Sequence, residues 1–195
     1  KKKVDLIIIA CGTVSSNCYI YLKNNFNIPI YDIITPTINY INNSVYQNIG
    51  IIATQATIKS NAWEKAIHKF SPNTKITSVA CPLFVPIIEN GLIMNEGTPF
   101  FIQEYMNKLS ISENKISSIV LGCTHYPLLK EKIQEQIGDK ITLIDIGEYS
   151  AQNTFEYLTN NNLIADSSNT GKIELYSSDH FENVKSNAQK MGLEI

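Results

Sequence analysis

Two cysteines stand in the same local setting, and that setting suits proton transfer. Cys11 closes the run Asp5-Leu-Ile-Ile-Ile-Ala-Cys11-Gly12-Thr13, and Cys123 closes Ser118-Ile-Val-Leu-Gly122-Cys123-Thr124-His125. Each run reads as a buried strand that ends in a thiol and turns into a helix. The carboxyl end of a parallel strand is where open α/β sheets hold ligands. A helix N-terminus just beyond it favours the thiolate and is expected to lower the thiol's pKa. The free N–H groups there, with the hydroxyls of Thr13, Ser15 and Thr124, can hold a carboxylate. One such cysteine suits a nucleophile or a one-sided acid. Two suggest inversion of a stereocentre, with one base on each face, one starting as thiolate and the other as thiol, exchanging states at each turnover. His125, two residues after Cys123, is placed to tune that thiol or carry its proton.

Taken singly, a free cysteine is more often a core residue than a catalytic one. The repeated strand–Cys–Thr–helix context is what carries the chemical reading. The other two cysteines read as packing: Cys18, seven residues after Cys11 and on one helical face with it if the helix reaches back that far, and Cys81, which opens the turn Cys81-Pro82-Leu83-Phe84-Val85-Pro86. No CxxC pair occurs and no Cys/His spacing suits zinc, so no metal is expected. Reduced thiols in a cytoplasm are the default. His68 reads as solvated, Asp179 as a helix cap ahead of His180, and Trp63 as core.

The elements that must position the two thiols alternate. Apolar runs over 4–10, 28–34, 48–54, 75–80, 116–122, 140–145 and 172–177 read as strands, several without polar alternation, as expected for strands covered on both faces. Between them lie helical patterns. Trp63, Ala66, Ile67 and Phe70 recur at i, i+3, i+4, i+7 and form a buried stripe. Thr98-Pro99 is an N-cap followed by Pro at the first helical position, with Phe101, Ile102, Tyr105, Met106 and Leu109 facing inward. Pro127 opens a helix carrying Leu128, Leu129, Ile133 and Ile137. This rhythm predicts an α/β fold with largely parallel sheets. Weak boundaries near Thr35-Pro36 and near 145–148 predict a discontinuous first domain, 1–35 plus 145–195, and a second domain, 36–144.

The 195 residues are 44% apolar and 17% charged, enough to bury a core. A formal net charge of −2 gives no electrostatic reason to expect nucleic acid or an anionic membrane as partner. The opening Lys1-Lys2-Lys3, apolar run and Ala10-Cys11 weakly match a lipoprotein signal, but the run is short and contains Asp5. No stretch approaches the ~20 apolar residues of a membrane span.

The motifs resemble those of the glutamate racemase family within the aspartate/glutamate racemase superfamily. Ala10-Cys-Gly-Thr-Val-Ser15 is similar to the family's Ala-Cys-Asn-Thr-Ala-Ser, and Leu121-Gly-Cys-Thr-His-Tyr-Pro-Leu-Leu129 matches its second cysteine motif without a change. Cys81-Pro-Leu-Phe-Val-Pro-Ile-Ile-Glu89, Gly50-Ile-Ile-Ala-Thr54, Ala56-Thr-Ile-Lys-Ser60 and Asp145-Ile-Gly-Glu148 resemble further family segments. The resemblance implies two doubly wound α/β domains facing each other across a cleft, with one thiol from each. It implies racemisation of L-glutamate to D-glutamate for peptidoglycan, without pyridoxal phosphate or metal. By motif, Cys11 and Cys123 transfer the proton with His125 as a third catalytic residue. Gly12, Thr13, Ser15 and Thr124 contact substrate, and Glu89 is an acid near the cleft. The expected partners are glutamate and a second copy in a homodimer, in the cytoplasm.

The sequence also departs from the family. Gly12 replaces Asn, Val14 replaces Ala, Ala56 stands where Gly is usual and Ile146 where Ser is. The family's opening strand with Asp-Ser-Gly and its following Tyr-Gly contact have no match, so the first domain is expected to lack its opening strands and the chain to be part of a longer product. Two alternatives stay open: another racemase or isomerase of the superfamily, acting on aspartate, hydantoins or maleate, and a non-catalytic ligand-binding relative.

Overall fold

The computed structural model describes residues 4–166, 168–169, 171–178, 181–190 and 193. Lys1-Lys2-Lys3, Asp179 and His180, which entered the sequence reading, lie outside them. The chain divides into two compact units, Lys1–Tyr157 and Leu158–Ile195.

In the first unit, strand and helix alternate and every strand pair is parallel. Strand β1 (Ile7–Ile9), helix α1 (Gly12–Asn25) and β2 (Ile30–Asp32) form one crossover, with β1 paired to β2. Helix α2 (Ile34–Asn42) follows. A four-stranded sheet then assembles from β3 (Asn48–Ala53), β4 (Lys75–Ala80), β5 (Ser118–Leu121) and β6 (Thr142–Asp145) in the order β4-β3-β5-β6. The crossovers are α3 (Gln55–Ser60) and α4 (Ala62–Phe70), α5 (Phe84–Glu89) and α6 (Thr98–Leu109), and a short 3-10 turn (Tyr126–Leu129) with α7 (Lys130–Ile137). Helix α8 (Ile146–Asn160) leaves β6.

Alternation along the strands sorts their side chains onto two faces, and both faces are covered. Ile52, Val79, Ile119, Leu121 and Leu143 pack with Phe84, Ile102, Leu109, Leu129 and Ile133 of α5, α6, the 3-10 turn and α7. Ile49, Ile51, Val120 and Ile144 pack on the other face with Ile34, Ile38, Ile41, Trp63 and Ile67 of α2 and α4. The β1–β2 pair is less covered: Ile7 and Ile8 are exposed, as are Ile20 and Tyr21 of α1. In the second unit, α9 (Phe181–Lys190) is the helix described.

Several expectations are corrected. Residues 172–177 form no strand among the described residues; Lys172 and Tyr176 instead bond locally to Glu174. Phe70 is 63% exposed, because it ends α4 and the chain turns away at Ser71. Cys18 is exposed: Cys11 has extended backbone at the N-cap, so the two do not share a helical face. Gly97, not Thr98, is the cap residue of α6, and the Thr98 hydroxyl donates back to the Leu92 carbonyl at 2.6 Å. Leu128 sits in the 3-10 turn and is 39% exposed. Thr35 and Pro36 lie in the first turn of α2, where a missing N–H costs nothing. Buried Asp32 starts that helix by accepting the N–H groups of Ile34 and Thr35 at 3.1 and 3.0 Å.

Ile119→Ala, in the middle of a strand covered on both faces, is expected to lower unfolding free energy by roughly 2–5 kcal/mol. Ile20→Ala on α1 is expected to change it by no more than about 0.5 kcal/mol. Urea titrations of the two variants check the contrast.

Candidate functional site

The site begins where β1 and β5 end. Cys11 follows β1 and serves as N-cap of α1, with φ −151 and ψ 118; no side chain caps that helix start, so its first N–H groups are not satisfied by a side-chain acceptor. Cys123 follows β5 and is buried, while Cys11 is half-buried. Gly122 ties its turn to the sheet by donating to the Ile52 carbonyl at 2.7 Å. Tyr126, fully buried, anchors the turn from below, its hydroxyl donating to the Cys81 carbonyl at 3.0 Å and its ring meeting Phe84 edge-on.

The two cysteine turns meet. The Thr124 hydroxyl donates to the Ala10 carbonyl at 3.2 Å, and Gly12 lies directly against the Gly122 carbonyl. Thr13 reaches the turn after β3, with its Oγ1 2.8 Å from Thr54 Oγ1 and 3.4 Å from Thr57 Oγ1; Thr54 and Thr57 are 3.0 Å apart. Thr54 also caps α3 by accepting the Thr57 N–H. This three-hydroxyl cluster beside Cys11 brings in two residues that were not read as site residues. Their signal was present as a Thr-x-x-Thr step at the end of a buried strand, a helix-start pattern. Ser15 is on the same turn, but its hydroxyl is buried, donating to the Ile9 carbonyl and accepting the Ile33 N–H. Val14 is exposed.

A relay approaches Cys123 from the other side. Its Sγ is 3.8 Å from His125 Nδ1, and His125 Nε2 is 3.1 Å from Glu89 Oε1 at the end of α5. The carboxylate makes Nε2 the protonated nitrogen, which leaves the Nδ1 lone pair to accept the proton of the thiol. Both partners of the pair are open to solvent, His125 by 37% and Glu89 by 56%.

The expected lowering of the thiol pKa is reversed at Cys123. Burial pushes this thiol above the ordinary value of 9.0; the His125 N–H pulls it back, and negative charge on Cys11 and on Glu89 pushes it up again. The helical stretch after Cys123 opens at Tyr126 as a 3-10 turn that runs into α7, three residues beyond the thiol. Negative charge on Cys11 is thus among the influences that raise the Cys123 pKa. Among the described residues, no three His, Cys, Asp or Glu side chains group as a metal site, and no helix is long and apolar enough to cross a membrane.

Comparison with known proteins gives consistent relatives. The Asp/Glu/Hydantoin racemase family matches residues 1–154. A glutamate racemase of Aquifex aeolicus (strain VF5) is 34% identical over 185 residues, covering 94% of this chain and 68% of that protein. One of Streptococcus mutans is 40% identical over 147 residues, 75% of this chain and 54% of that protein. The chain therefore spans between about half and two thirds of these relatives. The crystal structure of glutamate racemase from Francisella tularensis in complex with D-glutamate superposes with a TM-score of 0.87 at 31% identity, covering 98% of this chain and 71% of that one.

Thiol alkylation followed by peptide mapping should rank the cysteines. Exposed Cys18 is expected to react first and fully buried Cys81 only on unfolding. Cys123 should react with a pH midpoint above 9.0, because its raised pKa keeps the unreactive thiol form to higher pH.

Proposed function

Because this chain belongs to the Asp/Glu/Hydantoin racemase family, we propose that it carries out two-thiol racemisation of glutamate, L to D, within a protein that supplies D-glutamate for peptidoglycan. The observation that carries the reading is the meeting of the two cysteine turns, in which one thiol senses the charge of the other.

The chemistry follows from that apposition. A thiolate on one side takes the α-proton and becomes a thiol. The carbanion left at the α-carbon takes a proton from the opposite thiol, which becomes the thiolate. Nothing is consumed, and the two sulfurs have exchanged states. Cys11 and Cys123 are the two acids. His125 accepts the Cys123 proton through Nδ1 while Glu89 holds its other nitrogen, and the backbone N–H of His125 partly offsets the burial that keeps this thiol protonated. Thr13, with the uncapped first turn of α1 and the backbone N–H of Gly12, provides donors for a carboxylate; Thr54 and Thr57 extend the set, and Thr124 joins it where a carboxylate replaces the Ala10 carbonyl as the acceptor of its hydroxyl. Ser15 acts one step back, through its bonds that join the end of β1 to the end of β2.

The domain division read from the sequence, 1–35 with 145–195 against 36–144, belongs to the proposal, as do the homodimer and the cytoplasmic location. The Aquifex aeolicus and Francisella tularensis proteins favour glutamate over aspartate, hydantoin or maleate as substrate.

Deuterium wash-in at the α-carbon of D- and L-glutamate by the full-length protein tests the reading. Cys11→Ser and Cys123→Ser should each abolish racemisation while leaving some exchange from one enantiomer, a different one for each variant. Glu89→Gln and His125→Asn should slow the enantiomer deprotonated by Cys123 by roughly 10²–10⁴-fold and affect the other less. Equal, mild losses for both enantiomers in every variant would remove the two-base scheme.

A further inference from the structure

Gly12 is buried at the first position of α1, and the space that a side chain would need is already filled. A Cβ there would stand 2.5 Å from the Gly122 carbonyl oxygen and 3.6 Å from Thr57 Oγ1. A carbon cannot sit 2.5 Å from that oxygen without displacing something. The obstacle is main chain, which has no alternative rotamer to adopt. Gly122 is itself tightly held, by its hydrogen bond to the Ile52 carbonyl and by close neighbours. A Cβ on it would meet the Ile52 carbonyl at 2.9 Å, Ala53 Cβ at 3.1 Å and Trp63 Nε1 at 3.3 Å. Two stretches of backbone thus touch with no side chain between them. Each is one residue from a thiol, since Cys11 precedes Gly12 and Cys123 follows Gly122.

We infer that the Gly12–Gly122 contact is the spacer that sets the separation of the two thiols. The inference rests on the two-thiol reading above and names the residue that gives that reading its geometry. The other links between the turns are softer. The Thr124–Ala10 and Thr13–Thr54 bonds use hydroxyls that can rotate and keep a partner through small shifts. The glycine contact is a hard stop. Any side chain at position 12 drives the start of α1 off the end of β5 and takes Cys11 with it. Proton transfer is steep in distance, so Gly12 acts as a positioning residue through Cys11 and needs no side-chain contact with the substrate. The Asn of the resembling motif would not fit this approach, so in this chain Gly12 trades a side-chain contact for a closer pair of turns.

The test uses the full-length protein carrying Gly12→Ala or Gly12→Asn, with Gly97→Ala as control, where a Cβ would meet only Asn95 Oδ1 at 3.3 Å. The distance readout is the yield of Cys11–Cys123 bridging by the short bis-thiol reagent dibromobimane, found by peptide mapping. A second readout is the pH profile of Cys123 alkylation, and a third is glutamate racemisation. Both Gly12 variants are expected to lose most of the bridged product. Their Cys123 should titrate at lower pH than in the parent, because separation relieves both its burial and the charge of Cys11, the influences that raise it. Their kcat should fall about a hundredfold with KM within about threefold, as expected for a displacement on the order of 1 Å at reacting atoms. Gly97→Ala should match the parent in all three. Should the Gly12 variants fail to fold, Thr124→Val decides: it removes one inter-turn hydrogen bond and leaves the glycine contact, so parental bridging is expected. Parental bridging and an unchanged Cys123 profile in Gly12→Ala would overturn the spacer, as would loss of bridging in Thr124→Val. A parent that racemises no glutamate overturns the two-thiol reading instead, and the bridging yields still decide the spacer.

Discussion

The contact of backbone with backbone at Gly12 and Gly122 is the constraint on which the rest of the site depends. Strand ends in a parallel sheet place side chains at a rim, but they do not bring two rims together. Here the joining is done by a helix start that can press on a carbonyl because neither partner carries a side chain. The Thr124–Ala10 and Thr13–Thr54 bonds then hold the turns in register. The deeper layers serve the same end. Tyr126 props the second turn on the Cys81 carbonyl, and Gly122 itself is hydrogen-bonded to Ile52 in the central strand. The four-stranded sheet, buried on both faces, fixes the end of β5, and α1 is set against α3 and β2 beside it.

The electrostatics of the site are a balance of opposing terms. Burial makes the thiolate of Cys123 costly, and two neighbouring anions make it costlier. The backbone N–H of His125 works the other way, and the His125 ring, 3.8 Å from the sulfur, offers the proton a place to go. A thiol that is hard to ionise stays protonated and so still holds a proton to give to the carbanion. That suits a reaction in which one sulfur must give a proton while the other takes one. A partner that opens to solvent, as His125 and Glu89 do, lets this proton equilibrate with water between turnovers.

Much of this was legible in the sequence because it depends on local pattern. The strand–Cys–Thr repeats stand out, and the buried strands 48–53 and 75–80 follow from unbroken apolar runs. Trp63, Ile67, Ile102 and Leu109 follow from helical periodicity. What failed depends on where an element stops or what it faces. Phe70 fits a buried stripe by spacing, but α4 ends on it, and Lys69 Nζ lies 5.4 Å from its ring instead of a core neighbour. Cys18 fails because the helix does not include Cys11. The helix start at Pro36 depends on Asp32, which accepts the N–H groups of Ile34 and Thr35. Thr54 and Thr57 were quoted within a matching segment, yet their meeting with Thr13 is a contact between residues about forty positions apart. The direction of the Cys123 pKa was misjudged for the same reason, since burial is a tertiary quantity.

The account's central claim is that both thiols look onto one substrate space. Peptide-resolved alkylation of the full-length protein, with and without D-glutamate, tests this most directly. Cys11 and Cys123 are expected to be protected together, at the same glutamate concentration, while Cys18 reacts at an unchanged rate. Protection of one of the pair alone, with the other alkylated as fast as in buffer, would contradict it.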